Sequence, residues 1–520
     1  MKQRFLVPAL VLFLAAGSLP VLAAVVDRDL DLPKKVTFAH DVAPLMQEKC
    51  GTCHRPGDIA PMSFRTFEEV RPWAKSIRRV VSEGTMPPWH ADPAYGEFSN
   101  DRSLSDYEKG LIIKWVKQGA PLGDAAALAS LPKVEAGWRL GEPDLEVTFA
   151  AVDLPAGGPD IFEDLPVAYT LEEDRWIEKV EVLPGDSRVL HHVIIFVMEE
   201  GESSPTGWLG AWAAGMEPMI FPSGTGRLIK KGSTLIADMH YHPTDEPATD
   251  QTRIGLHFYD SEPDKELVNL WVQNSSFKIP AGAENHEVRS SFTFEQDSVV
   301  HALLPHMHYR GKDFTYTARY PDGREEILLQ VNDYDFNWQT AYRLAEPLDM
   351  PKGSKINCVA HFDNSVDNLD NPDPTRDVTF GNESFDEMMI GFVDYTVKDG
   401  LRPMGAEDKI AQHLAELSAE YPASTFEVVV KQGDFTMQTA LYLPKEGAGI
   451  WYVPVNGVVH KATLSGIQWT GGTFEAKMAA PFGSFLVKGS GGPGQDAVTG
   501  SIDTGDGDTL TFDGKSVGAI

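Results

Sequence analysis

Two of the chain's three cysteines fall in one pentapeptide, Cys50-Gly51-Thr52-Cys53-His54, and this spacing constrains the surrounding fold more than any other feature. Two thiols placed to add to haem vinyl groups, with an imidazole directly after the second, are what covalent attachment of haem c requires. A redox dithiol needs no following histidine, and a zinc site needs a second ligand pair that Cys358 alone cannot supply. Apolar residues three or four apart predict short helices over 41–48, 67–82 and 105–118. Met86, in the proline-stiffened Gly84-Thr85-Met86-Pro87-Pro88-Trp89, is the expected sixth iron ligand. Met62, in Ala60-Pro61-Met62, is the alternative, and an ordinary core methionine is the plain reading of either.

Residues 35–125 resemble class I cytochromes c fused to larger bacterial enzymes, which implies a small all-α domain. With 520 residues the chain exceeds one ordinary core, and its 46 Gly, 36 Pro and abundant aromatics indicate multidomain, mainly β material. Three cysteines exclude a disulfide framework. A formal charge of −31 argues against nucleic acid or an anionic membrane as partner. The same charge suits a solvated surface, or recruitment of a basic redox partner.

Of the 15 histidines, an unusual share lies between Val189 and Arg310. Three clusters stand in strand-like runs: His191-His192, Met239-His240-Tyr241-His242 and His306-Met307-His308. Residues i and i+2 of a strand share a face, so His306 and His308 can converge on one metal without distortion. Met388, opening a strand-like run to Tyr395, adds a polarisable thioether that favours cuprous copper over zinc. His191 and His192 would point to opposite faces of a flat strand. Sharing a metal demands a twist or strand end, which the upstream Pro184-Gly185 permits. His240 then completes a three-imidazole site able to hold copper in both oxidation states. His242, His257, His286, His301, His361, His413 and His460 read as ordinary core or surface residues, and His40 and His90 stay unassigned.

In the order of these motifs, residues from about 165 to 400 resemble the core shared by peptidylglycine α-hydroxylating monooxygenase and dopamine β-monooxygenase. The family's paired histidines fall on His191 and His192, its lone histidine on His240, its His-x-His on His306 and His308, and its methionine on Met388. Gly255-Leu256-His257-Phe258-Tyr259 and Arg310-Gly311-Lys312 support the match. The resemblance implies two antiparallel jelly-roll β-sandwiches, 166–279 and 280–402, meeting at Pro280-Ala281-Gly282. Each would hold one of two copper ions across a solvent cleft.

It further implies a monooxygenase, with O2 bound at the catalytic His306/His308/Met388 copper and an activated C–H bond hydroxylated there. The His191/His192/His240 copper would supply the second electron. A fused haem is expected to feed that copper, with an ascorbate-like reductant or redox protein as external donor. The peptide-amidating branch has an arginine where Leu304 stands and a tyrosine where Phe392 stands, and Ile390 adds to an apolar pocket. A small, benzylic or otherwise activated substrate is therefore expected rather than a glycine-ended peptide. Cys358 falls on a position that animal relatives pair in a disulfide; lacking a partner, it reads as a buried thiol. Two readings of other classes stand beside this one: a copper and haem electron-transfer protein without catalysis, and a zinc hydrolase, which lacks its carboxylate pattern.

Residues 1–24, with Lys2 and Arg4, an apolar run and Val21-Leu22-Ala23, read as a secretory signal cleaved near Ala23/Ala24, giving an exported, periplasmic protein without stable membrane insertion. An uncleaved anchor is the alternative. Residues 126–165, rich in Pro, Gly and acids, read as a linker. Residues 403–520 read as a helix over 408–420 followed by a β-rich accessory domain, with a flexible glycine-rich tail over 489–508.

Overall fold

Apolar spacing around the pentapeptide produces helix. In the computed structural model, which describes residues 30–130, 137–200, 207–432, 435–455, 458–480, 483–504 and 509–517, helical turns run from Phe38 to Cys50 and from Phe67 to Glu83. A further helix spans Asp106–Lys117. Thr66 and Ser105 start the last two as capping boxes, their hydroxyls accepting from the amides of Glu69 and Glu108. Gly84 ends the second in the left-handed region, at φ 79°. Val42, Met46, Val70, Ile77, Ile112 and Trp115 close this small core. The expected signal at 1–24 lies outside the described residues. Among those described, no helix is long and apolar enough to cross a membrane.

The rest of the chain is mainly antiparallel strand. One sheet runs in the order Ile161–Thr170, Thr234–Tyr241, Leu190–Met198, Gly207–Ala213. A second is built around Arg253–Phe258 and Arg175–Leu183. Val193, Ile195, Ala237 and Met239 of the first and Ile177, Val180, Ile254 and Leu256 of the second share one core. Further along, one sheet orders Val268–Gln273, Ile390–Val397, Ser298–His306, Tyr342–Met350. Another orders His286–Thr293, Lys355–Phe362, Gly311–Arg319, Glu325–Val331. Every second residue of Lys355–Phe362 is buried, and Ile356, Cys358, Ala360 and Phe362 meet Val300, Leu303 and Val393 from the other sheet in a second core. Cys358 is fully buried there.

Two expected boundaries move. The segment read as linker contributes strands Leu145–Thr148 and Val152–Leu154 and the start of Ile161–Thr170, which pair with Arg253–Phe258, Ala248–Asp250 and Thr234–Tyr241. Its prolines and glycines bracket the strands rather than replacing them. The junction expected at Pro280-Ala281-Gly282 also comes too late. Val268–Gln273 already pairs with Ile390–Val397, so the second sheet pair recruits chain from before residue 270.

The chain divides into two compact units after Arg402. In the second, a helix over Ala406–Glu420 precedes eight strands that close into a barrel, from Thr425–Gln432 to Thr509–Ser516. Trp451 fills its interior, donating from Nε1 to Thr439 Oγ1 at 2.8 Å. Of the supposed flexible tail, the described residues include the end of strand Gly483–Gly491 and all of strand Ala497–Asp503, and 505–508 lie outside the described residues. Its glycines provide clearance: a methyl on Gly500 would lie 2.1 Å from the Lys488 carbonyl and 2.5 Å from the Phe512 ring.

Candidate metal and haem sites

His191 and His192 share a site because of a bulge. Leu190 pairs with Tyr241 but His192 pairs with His240, so His191 is the extra residue of its strand. A bulge re-aims one side chain, which lets neighbours that would face apart converge. Pro184-Gly185 precedes this strand and lies outside the bulge. The Nδ1 atoms of His191 and His192 are 3.1 Å apart, and one ligand atom from each of His191, His192 and His240 lies within 4.8 Å of the others.

His240 is fully buried and stacks on its strand partner Phe162 at 4.3 Å. Its Nε2 donates to Asp160 at 2.9 Å, while Nδ1 has no partner. A buried nitrogen left without a hydrogen bond costs about 1–3 kcal/mol. Close to His191 and His192, that free nitrogen fits a ligand to a metal ion shared by the three imidazoles. Burial drives the His191 imidazole down to about 3, helped by His240, and drives His192 well below the ordinary histidine value. Both are therefore neutral, as ligands must be.

His306 ends its strand and His308 continues the alternation one step further, while Met307 between them points into the core. Their rings stand 5.3 Å apart at 89°. His306 Nδ1 bonds Gln339 Oε1 at 2.8 Å and His308 Nδ1 faces the Asp386 carbonyl at 3.4 Å, which leaves both Nε2 atoms for a ligand. Burial lowers His306 to about 4 and His308 well below its usual value. Tyr334 clamps the turn, accepting from the Met307 amide and donating to the Met307 carbonyl. Glu387 accepts from the amides of His308 and Arg310 at 2.8 and 2.6 Å. That carboxylate ties the His-x-His segment to the chain carrying Met388, which lines the same cavity as His306 and His308.

The two sets are closer than the resemblance implies. The His192 and His306 rings meet edge-on, with centroids 6.3 Å apart. Both sets also border one cavity of about 660 Å³, lined by Phe196, Trp271, Ile390 and Phe392. The two sets of imidazoles thus adjoin one another through His192 and His306.

Cys50, Cys53, His54, Met62 and Met86 line a cavity of about 520 Å³. His54 Nδ1 faces the Met62 carbonyl at 3.0 Å and its ring stacks on Phe64, leaving Nε2 as the available ligand atom. Burial pushes the Cys50 thiol up to about 12 and Cys53 to about 11. That is the reverse of an activated redox thiolate. Two thiols, one imidazole and two thioethers around an apolar cavity fit a covalently held haem. Met86 and Met62 both border it. His40 is exposed and His90 stands apart from the lining.

Several residues of the site carried no sequence signal. Asp160 sat in a segment read as linker, yet its carboxylate accepts from His240, His242 and Tyr309 at 2.8–2.9 Å and from Ser384 at 3.1 Å. Burial opposes its ionisation, but those hydrogen bonds outweigh burial and hold it below the usual carboxylate range. Phe336, stacked on His191 at 4.6 Å, and Gln339 belong to a loop without periodicity.

No family model matches the chain, and no curated protein matches it. Solved structures similar to it include infectious bursal disease virus Gx strain, at 10% identity over 53% of this chain and 77% of that one, with a TM-score of 0.15. An infectious bursal disease virus VP2 subviral particle is also among them, at 9% identity over 56% of this chain and 92% of that one, again at 0.15. Likeness this slight carries no argument.

Proposed function

We propose that the protein is an exported copper-dependent monooxygenase that hydroxylates an activated C–H bond of a small organic substrate, with electrons entering through haem c. The observation that carries this reading is the outer bonding of the imidazoles. His240, His306 and His308 each engage one nitrogen with Asp160, Gln339 or the Asp386 carbonyl and keep the other free, the arrangement that orients metal ligands. In this reading His191, His192 and His240 hold one copper, and His306, His308 and Met388 hold the other. Cys50, Cys53 and His54 would hold the haem, and Met86, in the wall of the same cavity, would supply a thioether to it. The two sheet pairs are the paired jelly rolls.

When bound, the coppers supply one-electron chemistry toward O2. The protein's own groups set the conditions for it. Asp160 fixes the Nε2 proton of His240 and so presents Nδ1 to the metal; Gln339 does the converse for His306. Phe162 and Phe336 shield the rings from water. The cavity shared by the two sets, with Trp271, Ile390 and Phe392 in its wall, has the size and lining of a small-molecule pocket. Leu304 pairs with Phe392 and offers no anchor for a substrate carboxylate.

Incubating the copper-loaded protein with cell metabolites under labelled O2, and searching for label in a product by mass spectrometry, tests the reaction. Oxygen uptake that depends on added substrate separates a monooxygenase from a copper and haem electron carrier. Zinc without copper on metal analysis would favour the hydrolase.

A further inference from the structure

The loop between strands Glu325–Val331 and Tyr342–Met350 touches the haem cavity and both histidine sets. Trp338 lines the cavity that holds Cys50, Cys53 and His54. The next residue, Gln339, bonds His306 Nδ1 at 2.8 Å. Gly215 marks how closely the elements meet: a methyl built on it would lie 3.2 Å from Cys53 Sγ, 3.2 Å from the Trp338 ring and 3.4 Å from the Arg102 guanidinium.

Both ends of this loop are fastened by the haem-side segment. Ala91 bridges Val331, and the Asp92 amide donates to the Gln330 carbonyl at 2.7 Å. At the other end Asn100 donates to the Ala341 carbonyl and accepts from the Arg343 amide, and Phe98 bridges Leu344. Arg102, also in the cavity wall, donates to the Gly215 carbonyl at 2.8 Å. Within the loop, Tyr334 is pinned to Met307.

We propose that Trp338 and Gln339 form the electronic link from the haem pocket to the histidine cluster, and that the electron enters at His306. The proposal rests on the copper and haem reading above. It departs from the expectation that the haem feeds the His191/His192/His240 copper. Phe336 reaches His191 by a stack across space, two residues from Trp338. Gln339 adjoins Trp338 covalently and reaches His306 through a single hydrogen bond.

One electron passes per event. Ferrous haem becomes ferric and one cupric ion becomes cuprous, after which an ascorbate-like reductant or redox protein restores the ferrous state. No proton has to cross, because the His306–Gln339 hydrogen bond is retained.

The test is flash photoreduction of the haem in the oxidised, copper-loaded full chain, following decay of the ferrous absorption band as the electron leaves. Trp338→Leu should slow that decay by an order of magnitude or more, compared with wild type at equal haem and copper content. Trp338→Phe, which keeps a ring, should recover much of the rate, and it serves also if the leucine variant misfolds. Phe336→Leu should slow decay less than Trp338→Leu does. Unchanged decay in a fully loaded Trp338→Leu variant overturns the proposal and leaves the cofactor reading standing, as does a larger effect from Phe336→Leu. A chain without a haem band, or without bound copper, overturns the cofactor reading itself.

Discussion

Asp160 provides the sharpest test of how the histidine site is built. Its Oδ2 receives His240, Tyr309 and Ser384, while Oδ1 receives the exposed His242. Asp160→Asn is isosteric, and the amide will turn its nitrogen toward His242, where solvent can compensate. Its carbonyl then still accepts from His240, so geometry survives and charge is lost. A hydrogen bond to a charged group is worth roughly 1.5–3 kcal/mol against about 0.5–1.5 for a neutral one. The difference at His240, about 1–2 kcal/mol, corresponds to roughly 5- to 30-fold weaker copper binding. Titrating the reduced protein with a colour-forming cuprous chelator measures it: the variant should release one copper at lower chelator concentration, with the haem band as internal control. Asp160→Ala, which leaves His240 Nε2 without its carboxylate, should release that copper more readily still. Wild-type affinity in Asp160→Asn would refute the idea that this carboxylate orients and strengthens a metal ligand.

Acid should destabilise the metal-free protein in a defined window. Burial depresses His191 to about 3 and His306 to about 4 in the folded chain, against about 6.5 when unfolded. The unfolded state therefore takes up protons that the folded state refuses. Stability is complete above pH 6.5 and falls below it by about 1.4 kcal/mol per pH unit for each such histidine; denaturant titrations showing equal stability at pH 7 and pH 5 would contradict this. Because His191, His192, His306 and His308 are already neutral, none of these four should release a proton when copper binds at pH 7, checked by calorimetry in buffers of different ionisation enthalpy. Gly215→Ala places a methyl at φ 80° against Cys53 and Trp338. It should cost at least about 1–2 kcal/mol and lower haem incorporation, seen in the melting temperature and the haem-to-protein absorbance ratio.

The helices around Cys50 and the period-two strands of the second core were legible because each has one apolar face, and local spacing reports burial on one face directly. The stretch from Gly489 to Asp503 misled for the opposite reason: glycines such as Gly500 make room for Phe512 and for neighbouring carbonyls, a tertiary requirement that resembles flexibility in one dimension. His306, Met307 and His308 could be placed by strand alternation alone, but the sharing of a site by His191 and His192 depends on a one-residue register shift against Thr234–Tyr241, which neither strand records by itself. Asp160 and Gln339 were invisible because each acts through long-range hydrogen bonds, Asp160 lying 80 residues from His240 and Gln339 33 from His306.

X-ray absorption at the copper edge of the reduced, haem-containing protein, read together with metal content, tests the two-copper reading most directly. Two coppers per chain should appear, with nitrogen neighbours throughout and a sulfur neighbour on one of them that disappears in Met388→Leu. A single copper per chain, or a copper–sulfur signal that survives Met388→Leu, would contradict the assignment of the five histidines and Met388 to two metal ions.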